Sequence, residues 1–505
     1  MTRVLVLTAD VLRPQMAGPA MRAWHIADHL AAEHEVRLVT TSPYCEISSD
    51  RFVVAAAGAE ELAEAEAWSD VMVLQGYVTH HQPVLATSQN IIVFDVYDPL
   101  HLETLALTKG AKGPVRDDHV RLSVDNLNRQ LRRADFLMCA SERQRDLYIG
   151  QLCALGRANA LTYDHDPTLR SLIDVVPFGL PDDPPKHDAP ALRGVVPGIG
   201  PDDDVLIWAG GVYDWFDPLT LVRAVGQLRE KRPSVRLFFM GMRHPNPDVP
   251  PMQMAISTRA LSEELGLTGK HVFFSDGWVE YAQRQNFLME ATLGVTTHFD
   301  SAETRFAFRT RALDYLWVGL PVVTTEGDWF AELVDREGLG LSVPPEDPDA
   351  LADALYRLLS DPAMMETCRE RAAAVRPSLR WSVVLEPLAA FCRQPQRAPD
   401  LLAPPPPPEL PTPLEPTGPA EPAEKREPPS LPVPLPAPVP SSAPTAEPVA
   451  SEGHFAPAVN SGLSLIELAR HHYRQGGLVQ VVRRAASKAE RLARQVAVGK
   501  EERAG

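Results

Sequence analysis

The stretch Asp300–Thr325, DSAETRFAFRTRALDYLWVGLPVVTT, decides how the rest of the chain is read. An acidic turn comes first, followed by three arginines, Arg305, Arg309 and Arg311, within seven positions. Leu313, Leu316 and Trp317 then recur at helical spacing, with Asp314 on the polar side of the run. Gly319 and Pro321 stop that helix, and Val322–Thr325 begins a short strand. A helix whose first turns carry arginines suits a diphosphate: unpaired N–H groups, the helix dipole and guanidinium forks all favour the same anion. The same arginines also fit a plain helix surface, paired with Glu303 and Asp314. The surrounding chain has to choose between the two.

Working outward, short apolar runs alternate with amphipathic helical patterns. Arg3–Thr8, Val36–Thr41, Asp70–Leu74, Ile91–Val96, Phe136–Ala140 and Ile173–Pro177 form a first series of strands, with a helix near Ala20–Glu33. The Pro-, Gly- and Asp-rich segment 181–204 reads as a connection. A second series follows at Val205–Ala209, Arg236–Met240, His271–Phe274, Leu293–Thr297 and Pro321–Thr324. Pro348–Leu359, Pro362–Val375 and Trp381–Phe391 read as closing helices. The pattern is α/β: two Rossmann-like domains, 1–180 and 205–393, each with a parallel sheet covered on both faces. Such halves place ligands at the C-terminal ends of their strands, in the cleft between them.

Composition narrows the function classes. At 505 residues the chain exceeds one ordinary domain, and no run approaches a membrane span. MTRVLVLTAD reads as a first buried strand rather than a secretory signal. The five cysteines are scattered and never spaced as CxxC, which argues for a reducing, cytoplasmic setting and against zinc or a disulfide framework. A net charge of −17 argues against nucleic acid as a general partner. Asp202–Asp204 spells DxD, but on a connection just before a strand it reads as a solvated turn, and no metal or cofactor is expected.

Nearly half of the 49 prolines fall within residues 394–460, which reads as an extended, disordered tether. Residues 461–505 regain helical periodicity, with Leu478, Val481, Val482, Ala485, Ala489, Leu492 and Val496 on one face and arginines and lysines around the rest. A basic amphipathic helix on an acidic protein fits an anionic membrane surface, or a partner or acidic surface on which it docks.

Five segments, in order, resemble the GT-B glycosyltransferases, specifically the retaining group called family 4. They are Met16–Arg22 (MAGPAMR), Val175–Gly179 (VVPFG), Trp208–Gly211 (WAGG), Leu313–Val323 (LDYLWVGLPVV) and Trp381–Phe391 (WSVVLEPLAAF). The resemblance covers Met1 to about Arg393. It implies a nucleotide-sugar donor and a glycan or lipid-linked acceptor, with Gly18, Arg22, Gly210 and Gly211 near the donor phosphates. It also implies that Asp314 holds the ribose and Glu303 faces the donor sugar. Their separation is wider than the family's usual one, and Asp314 stands where a glutamate is usual. The cations that commonly follow the glycine turn are absent from Val212–Pro218, which leaves Arg309 and Arg311 to take the diphosphate. No single residue matches the family's histidine after the strand at Ile91–Val96. Asp95, Asp98 and His101 are the candidates there, with a helix cap the plainer role for Asp98. The front-face mechanism proposed for the family uses the donor phosphate as base and needs no protein nucleophile. The alternative is a catalytically degenerate GT-B adaptor that works through its tether and basic tail.

Overall fold

Two parallel sheets account for the two series of apolar runs. In the computed structural model, which describes residues 1–110 and 113–402, the first sheet holds β1 (Arg3–Thr8), β2 (Glu35–Thr40), β3 (Val53–Ala56), β4 (Val71–Gln75), β5 (Ile91–Asp95), β6 (Phe136–Cys139) and β7 (Ile173–Val175). Its strand order is β3-β2-β1-β4-β5-β6-β7. The second sheet holds β8 (Asp204–Gly211), β9 (Val235–Gly241), β10 (Val272–Phe274), β11 (Leu293–Thr296), β12 (Val322–Thr325) and β13 (Gly340–Val343), ordered β10-β9-β8-β11-β12-β13. Every residue of β4 is buried, as is all of β1 after Arg3, which is why these strands read as unbroken apolar runs. The strand order reverses between β1 and β4 and again between β8 and β11. Loops leaving the C-terminal ends of these strands diverge at those points and open a crevice for a ligand.

Two strands escape the periodicity argument. Val53–Ala56 is a four-residue edge strand that is only half-buried. Gly340–Val343 begins with a glycine that reads as a breaker, yet a Cβ there would lie 1.8 Å from the Val322 carbonyl oxygen. Only glycine allows β13 to approach β12 so closely.

The helix expected over Trp381–Phe391 is two helices, Trp381–Val384 and Glu386–Arg393, with Pro387 in the first turn of the second. They cross back to the first half: Trp381 stacks at 4.8 Å on His25 of helix Gly18–Leu30, and Phe391 at 4.8 Å on Phe136 at the start of β6. The packing then continues past the expected linker boundary. Ala398 is buried, its N–H bonds Asp135, and Asp400 is a buried ion-pair partner of Arg157. Residues 394–402 are thus packed against the first half. The rest of the proline-rich tether and the basic amphipathic tail lie outside the described residues. Among the described residues no helix is long and apolar enough to cross a membrane.

The opening stretch folds as two helices rather than one, Ala302–Phe306 and Thr310–Val318. Ser301 caps the first by accepting the Thr304 N–H, and left-handed Gly319 (φ 77°) ends the second. The second is bolted to its sheet by Tyr315, whose hydroxyl accepts the Ala209 N–H at 3.0 Å and donates to the Val295 carbonyl at 2.8 Å. Its N-terminus is thereby held above the ends of β8 and β11.

Candidate functional site

Two helix N-termini meet across the crevice. Helix Gly18–Leu30 begins at Gly18 and Pro19, and a Cβ on Gly18 would lie 3.8 Å from the Thr310 hydroxyl at the start of the opposite helix. Two positive dipole ends therefore face a common cavity of about 290 Å³, although in the first helix Pro19 has no N–H and the Ala20 N–H is taken by Asp10. Cross-cleft bonds hold the halves together: Trp278 Nε1 donates to the Met16 carbonyl, Tyr281 N–H to the Pro14 carbonyl, and His25 bonds the Tyr281 hydroxyl at 2.8 Å.

The glycine turn after β8 and the arginine helix form one unit. Gly210 has φ 78°, a conformation that favours glycine. A Cβ on Gly211 would lie 2.8 Å from the ring of Tyr213, which stacks on Trp215 at 4.9 Å and forms a flat aromatic wall. Arg311 donates to the Gly211 carbonyl at 2.6 Å and lies 3.9 Å from the centre of the Phe216 ring. It is 8% exposed, and its Nη1 has no hydrogen-bond partner. No carboxylate faces it, and burial pushes its guanidinium down to about 10. Arg311 thus brings to the cavity a buried guanidinium with one nitrogen unpartnered.

The other two arginines there are already engaged. Arg309 makes a two-pronged pair with Glu303, at 2.9 and 2.8 Å, and sits 3.5 Å from Asp328, which in turn faces buried His298 at 3.2 Å. The pairing of Arg309 with Glu303 considered for a helix surface does occur, but in a buried cluster rather than in water. Asp314 pairs not with these arginines but with Arg284, through one oxygen at 3.0 Å, while Arg284 lies over the rings of Tyr281 and Trp317. Glu303, expected to face the donor sugar, is instead closed on Arg309 and lines a neighbouring cavity with Phe299 and Asp300 rather than the cleft, whereas Asp314 lines the cleft with one oxygen on Arg284. Arg305 does not line the cavity.

On the first half the structure sorts the candidates differently from the sequence. Arg22 is fully buried and pairs with Asp95 at 2.7 and 3.0 Å; its remaining N–H groups bond the Val176 and Pro177 carbonyls. Four hydrogen bonds tie helix, strand and loop together through Arg22, which does not line the cleft and so is not placed to hold donor phosphates. Asp95 is held beneath the cleft by the same pair and does not line it. His101 lines a smaller adjoining cavity rather than the cleft. Asp98 does face the cleft and is not the helix cap, because helix Leu100–Leu107 starts after Pro99. Burial pushes its carboxyl up to about 7, against a hydrogen bond from Tyr97 that lowers it. Glu103, one turn into that helix on the same face as Leu100, also lines the cleft; burial, then Asp98 and Glu303, raise its carboxyl well above the usual range.

Arg284, Glu103, His244 and Trp278 line the cleft without having been singled out. Arg284 and Trp278 stand outside every matched segment, and Glu103 looks like an ordinary helix-surface acid. Ser141–Arg145 is structural: Ser141 caps a helix, and Gln144 bridges the halves by donating to the Tyr97 and Phe306 carbonyls. In Asp202–Asp204, Asp203 accepts the Gly200 N–H and Asp204 pairs with Arg232. His80 and His81 end a short helix away from the cleft.

A pair of facing parallel α/β sheets with a glycine turn and a helix N-terminus over the cleft is the architecture of the GT-B glycosyltransferases. Residues 203–361 match the family model for glycosyl transferases group 1. A probable sucrose-phosphate synthase 2 of Oryza sativa subsp. japonica is 29% identical over 154 residues, covering 30% of this chain and 16% of the relative, so the chain matches about a sixth of that protein's length. Among solved structures, a sucrose-phosphate synthase from Thermosynechococcus elongatus superposes with TM-score 0.57 at 17% identity, over 78% of this chain and 99% of the other. Anabaena Alr3699/HepE, solved with UDP-glucose, gives TM-score 0.54 at 14% identity over 78% of this chain and 100% of the other. The fold is GT-B, and the segment that matches the group 1 model makes up most of its second half.

Proposed function

We propose that the protein transfers a sugar from a nucleoside-diphosphate sugar to a hydroxyl of a glycan or lipid-linked acceptor, with retention as in family 4. The observation that carries this reading is Arg311: a buried guanidinium with an unpaired Nη1, at a helix N-terminus, facing a second helix N-terminus across the cleft. A diphosphate placed there meets a cation, two positive helix ends and no carboxylate opposing it on Arg311. Asp314 then offers its second oxygen to the ribose, with the aromatic rings of Trp278 and Tyr281 on the same cleft wall. Developing charge on the leaving diphosphate is stabilised by groups already fixed in place. The donor phosphate serves as base for the acceptor hydroxyl. The complex of HepE with UDP-glucose makes UDP-glucose the first donor to test.

The degenerate-adaptor reading keeps one specific support, the closure of Glu303 by Arg309. A thermal-shift screen with UDP-, GDP-, dTDP- and CDP-sugars separates the two. The transferase reading expects one of the four to raise the melting temperature, and no response to any of them would leave the adaptor. The basic segment 461–505 would hold the enzyme at an anionic membrane surface, on the cytoplasmic side.

A further inference from the structure

The charge of the cleft is divided between its two faces. Arg284, Arg309, Arg311 and His244 all come from the second half. The lining contributed by the first half, from residues Ala17 to Pro181, contains no Lys, Arg or His; its ionisable groups there are Tyr97, Asp98 and Glu103. Behind this face the Arg22 guanidinium is spent on Asp95 and two carbonyls. Behind this face lies a cavity of about 90 Å³, sharing Pro19, Tyr97, Asp98 and Leu100 with the cleft as walls. That is room for a few water molecules or one hydroxymethyl arm. Two polar atoms on its lining residues are buried without partners: Oε1 of Gln75, a residue only 3% exposed, and Nδ1 of His101. Gln75 is oriented by donating its Nε2 to Asp95 at 2.9 Å, so its orphan atom is the acceptor.

We propose that the first-half face of the cleft and this adjoining cavity seat an uncharged polyol as the sugar acceptor, with one hydroxyl donated to Gln75 Oε1 and another held by Asp98, and that they reject an acceptor phosphorylated near the reacting hydroxyl. This rests on the transferase reading of the cleft and names its acceptor class. A hydroxyl donates as well as accepts, so it suits the unpartnered acceptor of Gln75. A phosphate would have to shed its hydration on a face that offers it no free cation, and that uncompensated desolvation costs affinity. Specificity here comes as much from what is repelled as from what is bound.

The test compares glucose and fructose with glucose 6-phosphate and fructose 6-phosphate on the full chain, by saturation-transfer NMR and titration, with and without UDP. Neutral sugars are expected to bind at least about tenfold more tightly than their phosphates. Gln75→Leu should weaken the neutral sugars about tenfold, the loss of a buried hydrogen bond. Equal or tighter binding of the phosphates would overturn the proposal, as would failure of both neutral sugars to bind. Failure of UDP to bind would contradict the donor reading instead, and the measurement without nucleotide would still decide the acceptor class. Should Gln75→Leu not fold, the comparison on the unaltered chain stands by itself.

Discussion

Arg309 and Arg311 lie two positions apart, both buried on one cleft, yet replacing each with methionine is expected to act in opposite directions. Arg309 neutralises Glu303 at 2.8 Å and lies 3.5 Å from Asp328. Arg309→Met strands a buried carboxylate pair, a loss of about 3–5 kcal/mol. Arg311 has no carboxylate partner, and its displacement from 12.5 to about 10 corresponds to about 3 kcal/mol of solvation not recovered from neighbours. Its bond to the Gly211 carbonyl returns about 1 kcal/mol. Arg311→Met should therefore leave the ligand-free protein as stable as before or up to about 2 kcal/mol more stable. For a body of this size each kcal/mol moves the melting temperature by about 1 °C. Differential scanning calorimetry should then show a drop of about 3–5 °C for Arg309→Met and no drop for Arg311→Met. Calorimetric titration with UDP should show the reverse emphasis. Losing a charge-assisted contact worth about 1.5–3 kcal/mol weakens nucleotide binding in Arg311→Met by about tenfold to a hundredfold. An Arg311→Met protein that binds UDP as tightly as the unaltered one, or melts several degrees lower, refutes the reasoning.

Other outcomes follow from the same contacts. His25, stacked on Trp381 and bonded to Tyr281, is kept neutral by burial down to about pH 3, whereas in the unfolded chain it protonates near 6.5. The unfolded state thus binds the extra proton between those values, so stability is complete above pH 6.5 and falls as the pH drops; at pH 5 the loss from this group is about 2 kcal/mol. His25→Gln should flatten the melting-temperature profile between pH 6.5 and 5 by that amount, and an unchanged slope would contradict it. A chain ending at Arg393 should melt several degrees below one ending at Ala403, because the shorter one loses Asp400 and leaves Arg157 buried without its carboxylate; equal melting temperatures would show that residues 394–402 contribute nothing. Deleting 461–505 should leave nucleotide binding intact while abolishing sedimentation with anionic liposomes, and undiminished sedimentation would remove the membrane proposal.

The sheets were legible because their strands are buried on both faces, which forces unbroken apolar runs. Val53–Ala56 was not, being short and half-exposed at an edge, and Gly340–Val343 hid behind the glycine its close packing requires. The stop at Gly319 and Pro321 and the glycine turn at Gly210-Gly211 are local devices, so they show in the sequence directly. Partnership across the fold is not local. Nothing in the spacing distinguishes Arg311, left without a carboxylate, from Arg309, closed on Glu303, since the difference lies in which side chains the folded chain brings to each. Arg22 looked like a phosphate ligand because it opens the first helix beside Gly18. Its long side chain instead turns inward to Asp95, a residue 73 positions away. Glu103 was overlooked for the opposite reason: its exposed-looking helix is capped by the second half of the molecule.

The most direct test is to incubate the full chain with UDP-glucose and no acceptor, then follow both products by NMR. A cleft that holds the diphosphate on Arg311 and the two helix ends should release UDP slowly, with glucose appearing first as its α-anomer and with release suppressed in Arg311→Met. First appearance of the β-anomer would contradict retention, and no nucleotide release from UDP-, GDP-, dTDP- or CDP-sugars would contradict the transferase itself.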